Sequence, residues 1–177
     1  MNFKLIKSEI LYNGVVFDLK VDEIEYNSGN KSIREVALHS GGAVVIPITG
    51  DGKIVMVTQF RYPFNKTLLE LPAGKLDKGE DPFNCAVREL EEETGYRPEK
   101  VEKIGEICTA PGYCTEILHL YVARDLKKGV KNREEGELGM EIIELKIEEV
   151  EEKIKNGKIT DAKTICGVYL LRSKLGL

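Results

Sequence analysis

The sequence predicts an α/β protein: an α/β/α sandwich on a mixed sheet, preceded by a small antiparallel β layer. Three observations carry this expectation. The first forty residues hold only strand-like runs separated by turn residues. A capped amphipathic helix stands in mid-chain between Asp81 and Gly95, and strand-like runs recur on both sides of it before two helices close the order. At 177 residues, 42% of them hydrophobic, the chain suits one domain with a substantial core. The order divides into residues 1–40, the β layer, and residues 41–177, the sandwich. A layer so small is not expected to be stable alone.

Each element has a local reason. Phe3 to Ile10, Val15 to Ile24 and Lys31 to His39 read as three antiparallel strands, with Asn13-Gly14 and Asn27-Ser28-Gly29-Asn30 as their turns. Gly42 to Thr49 and Ile54 to Tyr62 form the next pair, joined at Asp51-Gly52. Asp81 is an N-cap carboxylate, Pro82 suits the first helical position, and Gly95 is placed to end the helix. Between them Phe83, Val87, Leu90 and Thr94 recur at i, i+4, i+7 and i+11, which predicts an apolar stripe. Glu89, Glu92 and Glu93 are spaced i, i+3 and i+4 and are expected on the opposite side. Lys103 to Thr109, Ile117 to Arg124 and Met140 to Lys146 are further strands. A helix from Ile147 or Glu148 to Asn156 closes at Gly157, and a last one covers Asp161 to Leu175.

Composition narrows the function. A net charge of −4 argues against a nucleic-acid binder, which would carry a basic stripe. No apolar run reaches membrane-spanning length; the longest, Ala43 to Ile48, is strand-sized, so no membrane association is expected. The opening MNFKLIKSEILYNG mixes charge and apolar residues too finely for a signal peptide. Cys85, Cys108, Cys114 and Cys166 show neither C-x-x-C spacing nor paired histidines, so zinc is not expected and reduced thiols in the cytoplasm are. His39 and His119 lie in strand-like runs and read as structural.

Chemistry is concentrated between Gly74 and Tyr96, GKLDKGEDPFNCAVRELEEETGY. Seven fixed positions, Gly74, Glu80, Arg88, Glu89, Glu92, Glu93 and Gly95, fit the pattern G-x5-E-x7-R-E-U-x-E-E-x-G-U, in which U is a bulky apolar residue. Chance agreement is roughly 10⁻⁸ per starting position at average residue usage. Clustered carboxylates destabilise an isolated helix, and a hard divalent cation with oxygen ligands offsets that repulsion. Arg88 lies beside this face and can pair with and orient a glutamate. Glu91 occupies a free position of the pattern and reads as solvated. Cys85 reads as a small neutral filler.

The pattern resembles the Nudix box, and the chain is similar to Nudix hydrolases. The flanks Gln59-Phe60-Arg61-Tyr62 and Glu70-Leu71-Pro72-Ala73-Gly74-Lys75, with Pro111 fifteen residues beyond the box, resemble the ADP-ribose pyrophosphatase branch. The resemblance implies a Nudix-type sandwich and hydrolysis of a nucleoside diphosphate sugar with Mg²⁺ or Mn²⁺. It also implies a homodimer in which the N-terminal β layer is exchanged between subunits. Glu89, Glu93 and the Ala73 carbonyl match metal ligands. Glu92 is a further or water-mediated ligand that joins Arg88 in the catalytic set. Glu80 matches an orienting group or partner of Arg88. Between Gly129 and Gly139, Glu135 corresponds to the general base and Glu137 to a supporting metal ligand, with Glu134 the neighbouring alternative.

On the substrate side, Arg61 would clamp a phosphate with its planar fork. Glu116, after the Pro111-Gly112 loop, matches a ribose-binding carboxylate. Phe17 matches an adenine-stacking aromatic and Arg34 a substrate contact, both contributed across the dimer, and Lys75 and Gly112 complete the set. Three functions are expected from this. The first is ADP-ribose pyrophosphatase, releasing AMP and ribose 5-phosphate. The second is a pyrophosphatase for GDP-mannose or another nucleoside diphosphate sugar. The third is a module that binds ADP-ribose without cleaving it. The intact carboxylate cluster disfavours the last.

Overall fold

The computed structural model describes residues 2–132 and 139–175. Two compact units divide the chain, one of Met1–Gly41 with Cys108–Ile117, the other of Gly42–Ile107 with Leu118–Leu177.

The first unit is an antiparallel sheet of β1 (Phe3–Tyr12), β2 (Asp18–Tyr26) and β3 (Lys31–Leu38), in that order. The second strand starts at Asp18 rather than Val15, because residues 13–17 are used by the turn. There the Gly14 amide donates to the Asp18 carboxylate at 3.1 Å. A Cβ on Gly14 would sit 2.4 Å from the Phe17 carbonyl oxygen, so the turn requires glycine. The free side of β3 is met by the 108–117 segment: Ala37 N donates to Tyr113 O at 2.7 Å and Thr115 N to Ala37 O at 3.0 Å. This sheet buries little. Ile24 is its one buried hydrophobic side chain among the described residues, while Leu5, Leu11, Tyr12, Val16 and Ile33 stay exposed.

The second unit carries the mixed sheet. β4 (Gly42–Pro47) is buried throughout and runs parallel to β9 (Ile117–Lys128). The strand order is β7 (Ala73–Lys75), β4, β9, β8 (Tyr96–Cys108). A further antiparallel set orders β10 (Ile142–Leu145), β5 (Ile54–Arg61) and β6 (Lys66–Glu70). The strands β6 and β7 were not expected, since runs of five and three residues carry too little periodicity to declare themselves. The strand β8 begins earlier than Lys103 and runs through Pro98; it lies at the sheet edge, where a missing ladder donor is tolerated.

Alternation along β4 and β9 builds a core on each face. Ala43, Val45, Tyr121 and Ala123 pack on one side with Cys85, Ala86 and Leu90 of α1 (Pro82–Thr94). Val44, Ile46, Leu120 and Val122 pack on the other with Val150 of α2 (Ile147–Lys155) and Val168 and Leu171 of α3 (Ala162–Leu175). Helices therefore cover both faces of the sheet, the α/β/α sandwich the sequence predicts.

The caps of α1 form as the sequence indicates. Asp81 accepts the Phe83 amide at 2.9 Å, and Gly95 ends the helix at φ 75° with its N–H on the Glu91 carbonyl. The buried face keeps Leu90 and Thr94 of the expected stripe but not Phe83. Phe83 is 45% exposed and meets only the edge of Tyr121, with ring centroids 6.2 Å apart. The residues turned inward are Cys85, Ala86, Glu89, Leu90, Glu93 and Thr94. Small Cys85 and Ala86 let the helix lie close on Ala43 and Val45, and that rotation carries two glutamates into the interior. Replacing Asp81 with alanine removes the N-cap acceptor and is expected to lower stability by about 1 kcal/mol, measured by urea unfolding.

Candidate active site

The carboxylate face of α1 is organised by one arginine. Arg88 donates Nε and Nη2 to the two oxygens of Glu80, both at 2.9 Å, a bidentate pair. Its Nη1 donates to Glu89 Oε1 at 2.7 Å and to Glu92 Oε2 at 3.1 Å, and Nη2 also reaches the Lys75 carbonyl at 3.3 Å. Glu80 in turn accepts the Asp77 amide at 3.0 Å, so the loop before the helix and the helix itself close on the same guanidinium. This hydrogen bonding, first from Arg88, holds the Glu80 carboxyl down at about 2, and Glu80 leads the causes that raise Arg88.

Against this face lies β7. A Cβ on Gly74 would stand 1.9 Å from the Glu89 carboxylate, so the strand backbone is pressed onto that side chain. Gly42, opposite Lys75 in the ladder, is fixed for a related reason: its Cβ would meet the Gly74 carbonyl at 2.6 Å. Cys85 fills the space beneath, fully buried, with its thiol 3.7 Å from the Gly74 carbonyl and 3.6 Å from that of Lys75. Burial pushes this thiol up to about 12, which keeps it protonated and inert. Glu89 is 8% and Glu93 1% exposed.

The ligands expected from sequence, Glu89, Glu92, Glu93 and the carbonyl of Ala73, are all hard oxygens, the kind Mg²⁺ or Mn²⁺ takes. Gly74 lies close against the Glu89 carboxylate, and by donor chemistry these oxygens fit such an ion. Among the described residues no three His, Cys, Asp or Glu side chains converge on one point, with Glu89 and Glu92 turned onto Arg88. Glu134, Glu135 and Glu137 lie outside the described residues.

Other expected residues are placed as follows. Arg61 is in a bidentate pair with Glu70, Nε to Oε1 at 2.8 Å and Nη2 to Oε2 at 2.5 Å. Lys75 contributes its backbone, as partner of Gly42 and acceptor of Arg88, with its side chain on the exposed surface. In the first unit a cleft of about 570 Å³ gathers Phe17, Arg34 and Gly112 with Leu19, Ile33, Glu35, Ala37 and Tyr113. Arg34 donates to Ser32 Oγ at 2.7 Å and to the Tyr26 hydroxyl, and its guanidinium stands 6.0 Å over the Tyr26 ring. Glu116 lies 3.4 Å from His39 Nδ1, but that nitrogen accepts the Gly41 amide at 2.9 Å, so the histidine serves the backbone turn. His119 faces Glu106 at 3.4 Å.

Glu91 departs from its expected role. Rather than standing in solvent, it accepts Arg97 Nε at 2.7 Å and the Val130 amide at 3.4 Å, tying β9's exit to α1. Glu70 and Lys163 were given no role from sequence, although the buried Glu70 carboxylate pairs with both Arg61 and Lys163. Glu70 had a signal in its place before Leu71-Pro72-Ala73-Gly74. Lys163 had none, because its partner is 93 residues away.

Comparison with known proteins agrees with this architecture. A sequence model of the NUDIX domain matches residues 38–166, and the chain belongs to that family and is a Nudix hydrolase. It is 46% identical over 96% of its length to a "Methanol dehydrogenase activator" of Bacillus methanolicus, covering 92% of that protein. It is 41% identical over 98% of its length to an ADP-ribose pyrophosphatase of Bacillus subtilis (strain 168), covering 95% of it. A GDP-mannose pyrophosphatase of Cronobacter sakazakii is 33% identical over 93% of this chain and 92% of its own. The fold matches a crystal structure of an ADP compounds hydrolase with a TM-score of 0.87, covering 99% of this chain and 95% of that one at 17% identity.

Gly74→Ala places a methyl group inside the Glu89 carboxylate, and the side chain must leave its position. The expected outcome is a folded protein, checked by circular dichroism, whose hydrolysis rate falls by about 10² because a ligand is displaced.

Proposed function

We propose that this Nudix hydrolase cleaves ADP-ribose with water to AMP and ribose 5-phosphate. The observation that carries the reading is its likeness, over 98% of the chain, to the ADP-ribose pyrophosphatase named above. The cleft holding Phe17, Arg34 and Gly112 supports it, since an aromatic face and a guanidinium suit a base and its phosphate-bearing sugar. In the reaction the water oxygen bonds to one phosphorus while the bond from the bridging oxygen to that phosphorus breaks. The diphosphate becomes two monophosphates, and one proton is released to a base.

Glu89, Glu93 and the Ala73 carbonyl, with Glu92 and Glu137, would hold Mg²⁺ or Mn²⁺, which when bound neutralises the diphosphate and orients the attacking water. Arg88 keeps Glu89 and Glu92 in register on α1. Arg61 clamps a phosphate, Glu116 receives the ribose, and Phe17, Arg34, Lys75 and Gly112 complete the substrate set. Glu135 accepts the water's proton. Among the described residues no helix is long and apolar enough to cross a membrane, and the four cysteines are free thiols. We assign the enzyme to the cytoplasm, acting on a small nucleotide rather than a nucleic acid.

Two further readings have specific support. The GDP-mannose pyrophosphatase likeness favours a broader nucleoside diphosphate sugar range. The likeness to a methanol dehydrogenase activator favours a second role as an activator of such a dehydrogenase. Incubation with Mg²⁺ and a panel of ADP-ribose, GDP-mannose, UDP-glucose, diadenosine polyphosphates and NADH, with products identified by mass, separates the hydrolytic readings. ADP-ribose is expected to turn over fastest. Glu93→Gln is expected to lower that rate at least about 10²-fold with folding intact, because it removes a ligand charge that the transition state needs. Near-wild-type hydrolysis by Glu93→Gln removes α1 from the mechanism.

The base is tested separately. Glu135→Gln is expected to cost about 10² in rate. A comparable loss in Glu134→Gln or Glu137→Gln with Glu135→Gln silent moves the assignment, and three silent variants end it.

The exposed apolar side chains of β1 to β3 point to a second copy of the chain as their cover. Light scattering at micromolar concentration is expected to give twice the 19.9 kDa chain mass. A fully active monomer is the contrary result.

A further inference from the structure

We propose that Glu70 is a positioning residue for phosphate binding: it turns the Arg61 guanidinium side-on, so that the outward N–H donors of the fork face a diphosphate oxygen, and Lys163 holds Glu70 in that pose. The inference rests on the nucleoside diphosphate sugar reading above.

Glu70 ends β6 and is 1% exposed. In the ladder Arg61 stands opposite Lys66 and Glu70 opposite Val57, yet the two side chains meet, Nε on Oε1 at 2.8 Å and Nη2 on Oε2 at 2.5 Å. A guanidinium has five N–H donors, and this grip uses two of them on one edge. Of the three left, one on each Nη forms the end-on edge of the fork, on a side chain that is 35% exposed and so reaches solvent. The carboxylates of Glu70, Asp161 and Glu93 all favour the charged guanidinium of Arg61, Glu70 most strongly.

The pose is braced from α3. Lys163, 11% exposed, pairs with Glu70 Oε2 and, at 3.0 Å, with Asp161. Asp161 accepts the Thr164 amide at 3.0 Å and its hydroxyl at 2.6 Å, and that hydroxyl accepts the Leu71 amide at 2.9 Å. The first turn of α3 thus holds both the Glu70 side chain and the backbone that follows it toward Ala73. Burying a carboxylate among cations is an inefficient way to fill a core, since apolar side chains of similar size do as well or better. Its yield here is direction: an arginine held by one edge presents the other edge at a fixed angle, which a lysine at the same place cannot do.

The test is a double-mutant cycle on the full chain with ADP-ribose and Mg²⁺. Arg61→Ala and Glu70→Gln are each expected to lower kcat/KM about tenfold or more, and the double variant to be no worse than Arg61→Ala alone. Losses that multiply in the double variant, or wild-type kcat/KM in Glu70→Gln, overturn the proposal. Should Glu70→Gln fail to fold by circular dichroism, Lys163→Met replaces it. Lys163→Met is expected to give a loss in the wild-type background that vanishes beside Arg61→Ala, and an equal loss in both backgrounds overturns the proposal. Should the wild type cleave no nucleotide sugar, the functional reading fails and the cycle is read by calorimetric binding of inorganic pyrophosphate. Affinity that depends on Glu70 only while Arg61 is present sustains the positioning role. Additive effects, or no pyrophosphate binding by the wild type, end it.

Discussion

The contact between Gly74 and the Glu89 carboxylate is the constraint on which the rest of this site depends. A strand backbone and a helix side chain occupy space that any Cβ would claim, 1.9 Å from the carboxylate. That closeness sets the height of α1 above β7, and with it which helix residues can face the sheet. Only Cys85 and Ala86 are small enough for the positions beneath, and Gly42 is needed opposite Lys75 because its own Cβ would strike the Gly74 carbonyl. Gly42 and Gly74, 32 residues apart, are thus fixed by close packing rather than by local propensity.

Charge follows from that geometry. Pressing α1 onto β7 buries Glu89 and Glu93, and like charges at i and i+4 in a poorly solvated place repel. Arg88 offsets part of this by bonding three glutamates at once, with its bidentate pair kept for Glu80 in the preceding loop. The same guanidinium therefore closes the loop onto the helix and aligns the carboxylates. Glu91, one position away, serves a different end by taking Arg97 and the Val130 amide. The four carboxyl side chains of Glu89, Glu91, Glu92 and Glu93 divide into two jobs because a helix turns 100° per residue.

What was legible in the sequence was what local chemistry encodes. Asp81, Pro82 and Gly95 declare α1 because each answers a need of the backbone at that position. The strands β4 and β9 are readable as apolar runs of sandwich length, and the pattern of fixed glutamates was readable as the mark of the Nudix family. The rest was decided by partners distant in sequence. No periodicity marks β7, which exists because β4 pairs with it. Leu90 and Thr94 of the expected stripe are buried, while its Phe83 end is exposed and small Cys85 and Ala86 take the buried positions instead. Val15 looked like the start of a strand, but the turn needed residues 13–17 to bring the Gly14 amide to Asp18.

The polar cluster at Arg61 shows why a local motif does not make a site unaided. The loop from Glu70 to Gly74 contributes a carboxylate, a carbonyl and the glycine cradle, yet it has no helix of its own to hold it. It is pinned on one side by β4 through β7 and on the other by Thr164 and Lys163, 93 residues along the chain. An error of 1 Å in that loop would displace the Ala73 carbonyl, the Arg61 fork and the Glu89 contact together, and errors of that size weaken preorganised sites severely. On the proposed reading, α3 therefore belongs to the site's support as much as α1 belongs to its chemistry. Its sequence, apolar where it meets the sheet and with Lys163 and Thr164 in its first turn, is divided between those two tasks.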